Sequence, residues 1–196
     1  MGKRDWCYDA EYRTYVDDLL EKPQVQELKN YKHHHYTNRL DHSIAVSYYS
    51  YLLAKKMHAN ARAVARAGLL HDMYYYDNET AKEVLNGENH YKVHPQIAAI
   101  NAAQITDLSD LEKDIIHSHM FGATMTVPHY KESYIVTLMD KYCSIKDVSS
   151  PFWQKTKDKT KSFVQNHETT LKCKEKFDKI KKEKMKPLAK NVEGKE

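Results

Sequence analysis

The 196-residue chain is long enough for one domain with an appendage, and 41% hydrophobic against 30% charged residues describes a soluble protein with a core. Five glycines and five prolines are too few for the many turns of a β-sandwich or barrel, so an all-α fold is predicted. The net charge of +4 hides an asymmetry: residues 151–196 carry 14 lysines against 7 acidic residues, whereas residues 1–150 carry 17 Lys and Arg against 20 acidic residues. Any attraction to nucleic acid therefore concerns the tail alone, and lysine runs of this kind are more often solvated faces.

No apolar run reaches the roughly 18 residues of a membrane helix. The first residues lack the apolar segment of a secretory signal, and Trp6 stands where a myristoylation motif needs Ser or Thr. Cys7, Cys143 and Cys173 are widely spaced and odd in number, a pattern of reduced thiols in the cytoplasm. Cysteine metal sites are excluded on the same ground.

In chain order, Tyr12, Tyr15, Val16 and Leu19 predict a helical lead-in over 9–32, punctuated by Pro23 before a short helix at 25–31. Three consecutive histidines follow (His33, His34 and His35). They point in three directions on a helix or alternate on a strand, so they cannot all serve one metal and are expected at a surface or pocket rim. Residues 39–57 are strongly helical, with Leu40, Ile44, Tyr48 and Leu52 as the apolar stripe and His42 at its edge. Residues 61–72 form the predicted central helix. Its small residues allow close approach of a neighbour, and Gly68, which costs about 1 kcal/mol of helix propensity, implies a packing reason.

Residues 78–89 read as a short helix and polar loop, with Asn86-Gly87 as a turn. His94-Pro95 is predicted to open the next helix, because proline suits the first helical position. Ser109-Asp110-Leu111-Glu112 is a capping box for the helix after it, which runs to His119. Helical phase separates its two histidines: His119 follows Ile115 by four residues and lies inward, whereas His117 falls on the polar side. A last helix over 130–147 is expected to carry Tyr134, Ile135, Leu138, Met139 and Tyr142 as its apolar positions. Asp140 sits between Val136 and Cys143, where a carboxylate is costly to bury unless it is paired or coordinates a metal. Ser149-Ser150-Pro151 marks a boundary between a domain at 1–150 and a basic helical extension at 151–196.

The chemistry-bearing residues on this path are His42, His71, Asp72, His94, His119 and Asp140, one or two from each of several helices. Imidazole and carboxylate donors suit Zn, Mn, Fe, Ni or Mg, and a cysteine-free set disfavours a purely structural zinc site. On these residues the chain resembles the HD-domain superfamily of metal-dependent phosphohydrolases. His42, His71-Asp72 and Asp140 match the family's H…HD…D pattern, and His94 with His119 fit its six-ligand, binuclear variant, over residues 35–148.

The resemblance implies a compact multi-helix bundle, two divalent ions per chain and a metal-activated water. It also implies Asp72 as the bridge, His42, His71 and Asp140 around one ion, and His94 and His119 on the other. The expected substrate is a nucleotide or another small phosphorylated metabolite. Lys141, Arg66 and Arg39 are candidate phosphate contacts, Lys141 and Asp77 candidate proton carriers, and Tyr75 a candidate stacking surface for a base. A mononuclear phosphatase and a non-catalytic metal or nucleotide sensor are the competing readings. A homodimer is compatible with the sequence; membrane and nucleic-acid partners are not expected.

Overall fold

A computed structural model describes residues 6–34 and 37–149. The chain divides into units at 1–158 and 159–196, and the expected basic helix over 151–196 lies outside the described residues. The described part of the first unit is helical apart from one small hairpin.

Its elements are α1 (Ala10–Leu20), α2 (Pro23–Glu27), β1 (Lys32–His34), β2 (Thr37–Asn38), α3 (Arg39–Lys56), α4 (Ala61–Leu70), α5 (Ala81–Val84), α6 (His90–Ala103), α7 (Asp110–Ser118) and α8 (Lys131–Ser149). No helix among the described residues is long and apolar enough to cross a membrane. β1 and β2 pair antiparallel, Lys32 opposite Asn38 and His34 opposite Thr37.

α4 is the hub. Every residue from Ala63 to Leu70 is buried, and the helix packs against α1, α3, α6, α7 and α8. A helical stretch enclosed on all sides must be small or apolar all round, as residues 63–70 are apart from Arg66. The closest approach is to α3: a Cβ added at Gly68 would meet the Ser47 Cα at 3.0 Å. Ser47 fastens the crossing by donating its hydroxyl to the Ala65 carbonyl (2.6 Å) and accepting one from the Tyr12 hydroxyl (2.8 Å). Ser43, Ser47 and Ser50 are all buried, so the face that α3 turns to α4 is a ridge of small residues beside the predicted leucine and isoleucine stripe.

Several element boundaries differ from expectation, each for a local reason. Pro23 is the first residue of α2 instead of preceding it, because its fixed φ and missing N–H suit that position. α6 begins at His90, where the Asn89 side chain accepts from the Tyr91 N–H, so Pro95 lies inside the helix and His94 one turn beyond the start. α4 and α7 stop one residue before His71 and His119, leaving each histidine in the C-cap position. The predicted capping box is present, with the Ser109 hydroxyl and the Glu112 carboxylate satisfying each other's backbone N–H groups.

The apolar phase of α8 also departs from expectation. Tyr134, Leu138 and Tyr142 are exposed together with Ile145, and the inward face is Ile135, Val136, Asp140 and Cys143. Residues two apart on a helix are about 200° apart, so turning Asp140 inward turns Leu138 and Tyr142 outward.

Candidate metal centre

His71 and Asp72 follow the last turn of α4, and four other elements bring side chains to them. His42 comes from the second turn of α3, His94 from α6, His119 from the C-cap of α7 and Asp140 from the middle of α8. All six are at least nine-tenths buried.

The two oxygens of Asp72 face different neighbours. Oδ2 lies 3.7 Å from His71 Nε2, which also lies 3.6 Å from Asp140 Oδ1. His42 Nε2 meets the same Asp140 oxygen at 3.0 Å. Oδ1 of Asp72 lies 3.4 Å from His94 Nε2 and 3.6 Å from His119 Nε2, which are themselves 2.9 Å apart.

Three of these histidines are oriented in the same way. Nδ1 of His71 donates to the Gly68 carbonyl (2.8 Å), that of His119 to the Ile116 carbonyl (2.7 Å) and that of His94 to the His90 carbonyl (2.9 Å). A carbonyl can only accept, so Nδ1 carries a proton, and in the neutral ring Nε2 presents its lone pair to the cluster. For His71 and His119 this follows from their C-cap positions, because the last carbonyls of a helix lack intrahelical partners. Metal-ligating histidines are commonly oriented by such a bond.

The charge balance fits a cation. Burial alone would raise the pKa of Asp72, but His71, His94 and His119 hold it well below the usual carboxylate range. Burial likewise opposes ionisation of Asp140, and the hydrogen bonds and charges of His42 and His71 overcome it. Burial, then the neighbouring His94 and His71, pushes His119 down to about 3, so its Nε2 stays unprotonated at neutral pH. His71 goes the other way: burial disfavours its charged form, and the charges of Asp72 and then Asp140 outweigh that.

A test of metal fit follows from these contacts. His71 Nε2 is buried without a hydrogen-bond partner and faces two carboxylates. Nε2 of His94 and Nε2 of His119 point lone pairs at each other across 2.9 Å, an arrangement that a shared cation relieves. Donors about 2.1 Å from one ion are about 3.0–3.4 Å apart at tetrahedral to right angles, and the contacts here span 2.9–3.7 Å. Among the described residues, His42 with His71 and Asp140, and His71 with Asp72 and His119, could each hold an ion. The residues fit.

The cationic and aromatic candidates are placed differently. The Arg39 side chain is fully buried and its guanidinium is taken up by backbone: it donates to the carbonyls of Tyr74 (2.7 Å), Tyr76 (2.9 Å) and Lys32 (3.3 Å) and lies 3.5 Å over the Tyr74 ring. Arg39 therefore braces the loop after Asp72 instead of reaching for phosphate. Arg66 donates to the Tyr15 carbonyl, Asp18 and Thr106 and lies 3.8 Å from Glu112, so it joins α4 to α1 and α7. Asp77 accepts from the Lys32 backbone N–H, and Tyr75 donates to the Gln24 carbonyl and packs on Tyr31. Both tie loops together. Lys141 remains beside the cluster: it is half-buried, adjacent to Asp140, and donates to the Phe121 carbonyl at 2.6 Å.

Two further contributors lie outside the six expected donors. Tyr74, not Tyr75, packs its ring against His94, with centroids 5.2 Å apart. His33 turns inward, its Nδ1 3.5 Å from Asp72 Oδ2 and its ring stacked on His42 with centroids 3.5 Å apart. The alternation of a strand was the signal available for His33, and a three-residue strand is too short to read it with.

A helical shell of histidines around two buried carboxylates defines a His/Asp divalent-metal centre. The HD domain matches residues 39–145, more than half of the chain, and the chain belongs to that family, whose members are largely metal-dependent hydrolases. Comparisons with curated proteins and with solved structures find no match.

Proposed function

We propose that this protein hydrolyses a phosphate ester or anhydride in a nucleotide or another small phosphorylated metabolite, with two divalent ions held on either side of Asp72. The observation that carries this reading is the division of the Asp72 carboxylate, whose Oδ2 faces His71 and whose Oδ1 faces His94 and His119. His42, His71 and Asp140 would complete the first set of donors, and His94 with His119 the second. Divalent ions held by these residues would supply a water of lowered pKa and neutralise phosphate oxygens.

The protein's own contribution is to keep the donors ready. The Nδ1–carbonyl bonds fix three rings, burial excludes competing water, and the paired charges keep both carboxylates ionised. Lys141, next to Asp140 and held at the Phe121 carbonyl, is the candidate to meet a phosphate oxygen or return a proton to the leaving group. Burial pushes its pKa down, with Asp140 opposing, and a lowered pKa makes proton transfer near neutrality easier.

The test is a screen of phosphorylated metabolites with defined metals, with Asp72→Ala as control, on protein purified without a metal-affinity step. Turnover of at least one compound, lost in the control, supports hydrolysis. No turnover, or equal turnover by Asp72→Ala, rejects it. One ion per chain, insensitive to replacement of His94 or His119, rejects the two-ion form in favour of a mononuclear site.

A further inference from the structure

His33 belongs to neither set of donors above, yet it is built into the centre. Its side chain is only 9% exposed, and His33, His42 and Asp72 each place one donor atom within 4.8 Å of the others. Proximity alone would make it another metal ligand.

The ring geometry argues otherwise. An imidazole binds an ion in its own ring plane, at about 2.1 Å from the nitrogen. The rings of His33 and His42 are stacked, 19° from parallel with centroids 3.5 Å apart. An ion in the plane of His42 therefore stands well out of the plane of His33, and the two rings cannot share it. What His33 covers is the space beside that ion, over Asp72 Oδ2.

The hairpin carrying His33 is fastened on several sides to the structure around Asp72. The Lys32 N–H donates to Asp77 Oδ1 (3.1 Å), and the Lys32 carbonyl accepts from Arg39 (3.3 Å). The His33 carbonyl accepts from the Asn78 side chain (3.5 Å), and the Arg39 N–H donates to the Tyr31 carbonyl (2.9 Å). Arg39 and Asp77, which touch no donor of the centre in these contacts, thus position the strand from which His33 projects.

We infer that His33 is a phosphoryl-binding residue of this centre, giving a ring N–H to a phosphate oxygen beside the ion held by His42, and is not itself a metal ligand. The inference rests on the proposed hydrolysis of a phosphorylated substrate. A hydrogen bond between an imidazole N–H and an anionic oxygen is of the charge-assisted kind, so its loss weakens binding by about tenfold or more.

The experiment compares wild-type protein with His33→Ala and His33→Gln, each loaded with Mn²⁺. Metal equivalents are measured by atomic emission and inorganic phosphate binding by calorimetry. The expected result is unchanged metal content in both variants, about tenfold weaker phosphate binding in His33→Ala, and partial recovery in His33→Gln, which keeps an N–H donor. Loss of a metal equivalent would make His33 a ligand and overturn the inference, as would unchanged phosphate affinity. Should the variants not fold, the wild-type protein loaded with Zn²⁺ carries the test, since phosphate must shift the His33 imidazole ¹⁵N resonances and an unmoved pair overturns the proposal. Wild-type protein that binds metal but no phosphate overturns the hydrolase reading as well. Hydrolysis by the wild type alongside unchanged phosphate affinity in His33→Ala overturns this inference alone.

Discussion

The two sides of Asp72 are unequal. On the Oδ2 side a second carboxylate, Asp140, stands with His71 and His42, and His33 covers the space beside them. On the Oδ1 side two histidines have only the Asp72 carboxylate beside them. An ion on the first side would meet two anionic donors and an ion on the second only one. The first is thus expected to be the tighter site and the second the more open. The protonation of the histidines differs as well: the carboxylates around His71 outweigh its burial and raise its pKa, whereas burial and then His94 and His71 lower that of His119.

The largest expected effect removes the comparison itself. Asp72→Ala takes a donor from both sides, so metal content should fall below one equivalent and turnover by at least about a hundredfold, since even outer partners of ligands are worth 10–100-fold. A smaller intervention separates the sides. In the two-ion reading Asp140→Asn and His119→Ala each lose one equivalent, and the ion remaining in Asp140→Asn should exchange with chelator faster than the one remaining in His119→Ala. Equal exchange would show that the sides do not differ.

Two predictions act on what both sides share. Arg39→Ala leaves the carbonyls of Tyr74 and Tyr76 without their donor in the loop that follows Asp72. Unsatisfied buried groups cost about 1–3 kcal/mol each, so denaturant unfolding should show a loss of about 2–5 kcal/mol. Gly68→Ala drives a methyl against the Ser47 backbone where α3 and α4 cross. Overpacking costs about 1–3 kcal/mol, and because α4 carries His71 and Asp72 the variant should bind both ions more weakly. A change on one side only would mean that α4 does not set the two together.

The last comparison is in pH. In metal-free protein, His119 has a folded pKa of about 3 against 6.5 in the unfolded chain, so the unfolded state takes up the proton first and stability falls as pH drops from 6.5 toward 3. His71, raised above 6.5, has the opposite sign: its contribution is present below 6.5 and is lost as pH rises through its folded pKa. NMR titration of the metal-free imidazoles should find His71 protonated above pH 6.5 and His119 unprotonated well below it. Coincident titration of the two would remove the electrostatic difference between the sides.

Several of these features were legible without coordinates. The small-residue helix that leads to His71-Asp72, the capping box at Ser109 and the inward phase of His119 are all matters of local helical spacing, where 3.6 residues per turn decides which side chains share a face. The HD resemblance at His42, His71, Asp72 and Asp140 added which helices must meet. The roles of Arg39 and Arg66 were not legible, because a buried cation looks the same in a sequence whether it meets a phosphate or a backbone carbonyl. Tyr134, Leu138 and Tyr142 misled because their spacing suits a core stripe, while the face of α8 that turns inward is the one carrying Asp140.

The sequence by itself thus determined a mainly helical fold and the residue types of its centre, because helix periodicity and donor chemistry are local. Only the tertiary structure decided how the Asp72 carboxylate is divided and which nitrogen of each histidine is exposed to the cluster. It also decided that His33 turns inward over Asp72. These depend on carbonyls and side chains from elements far apart in the chain, which only packing brings together.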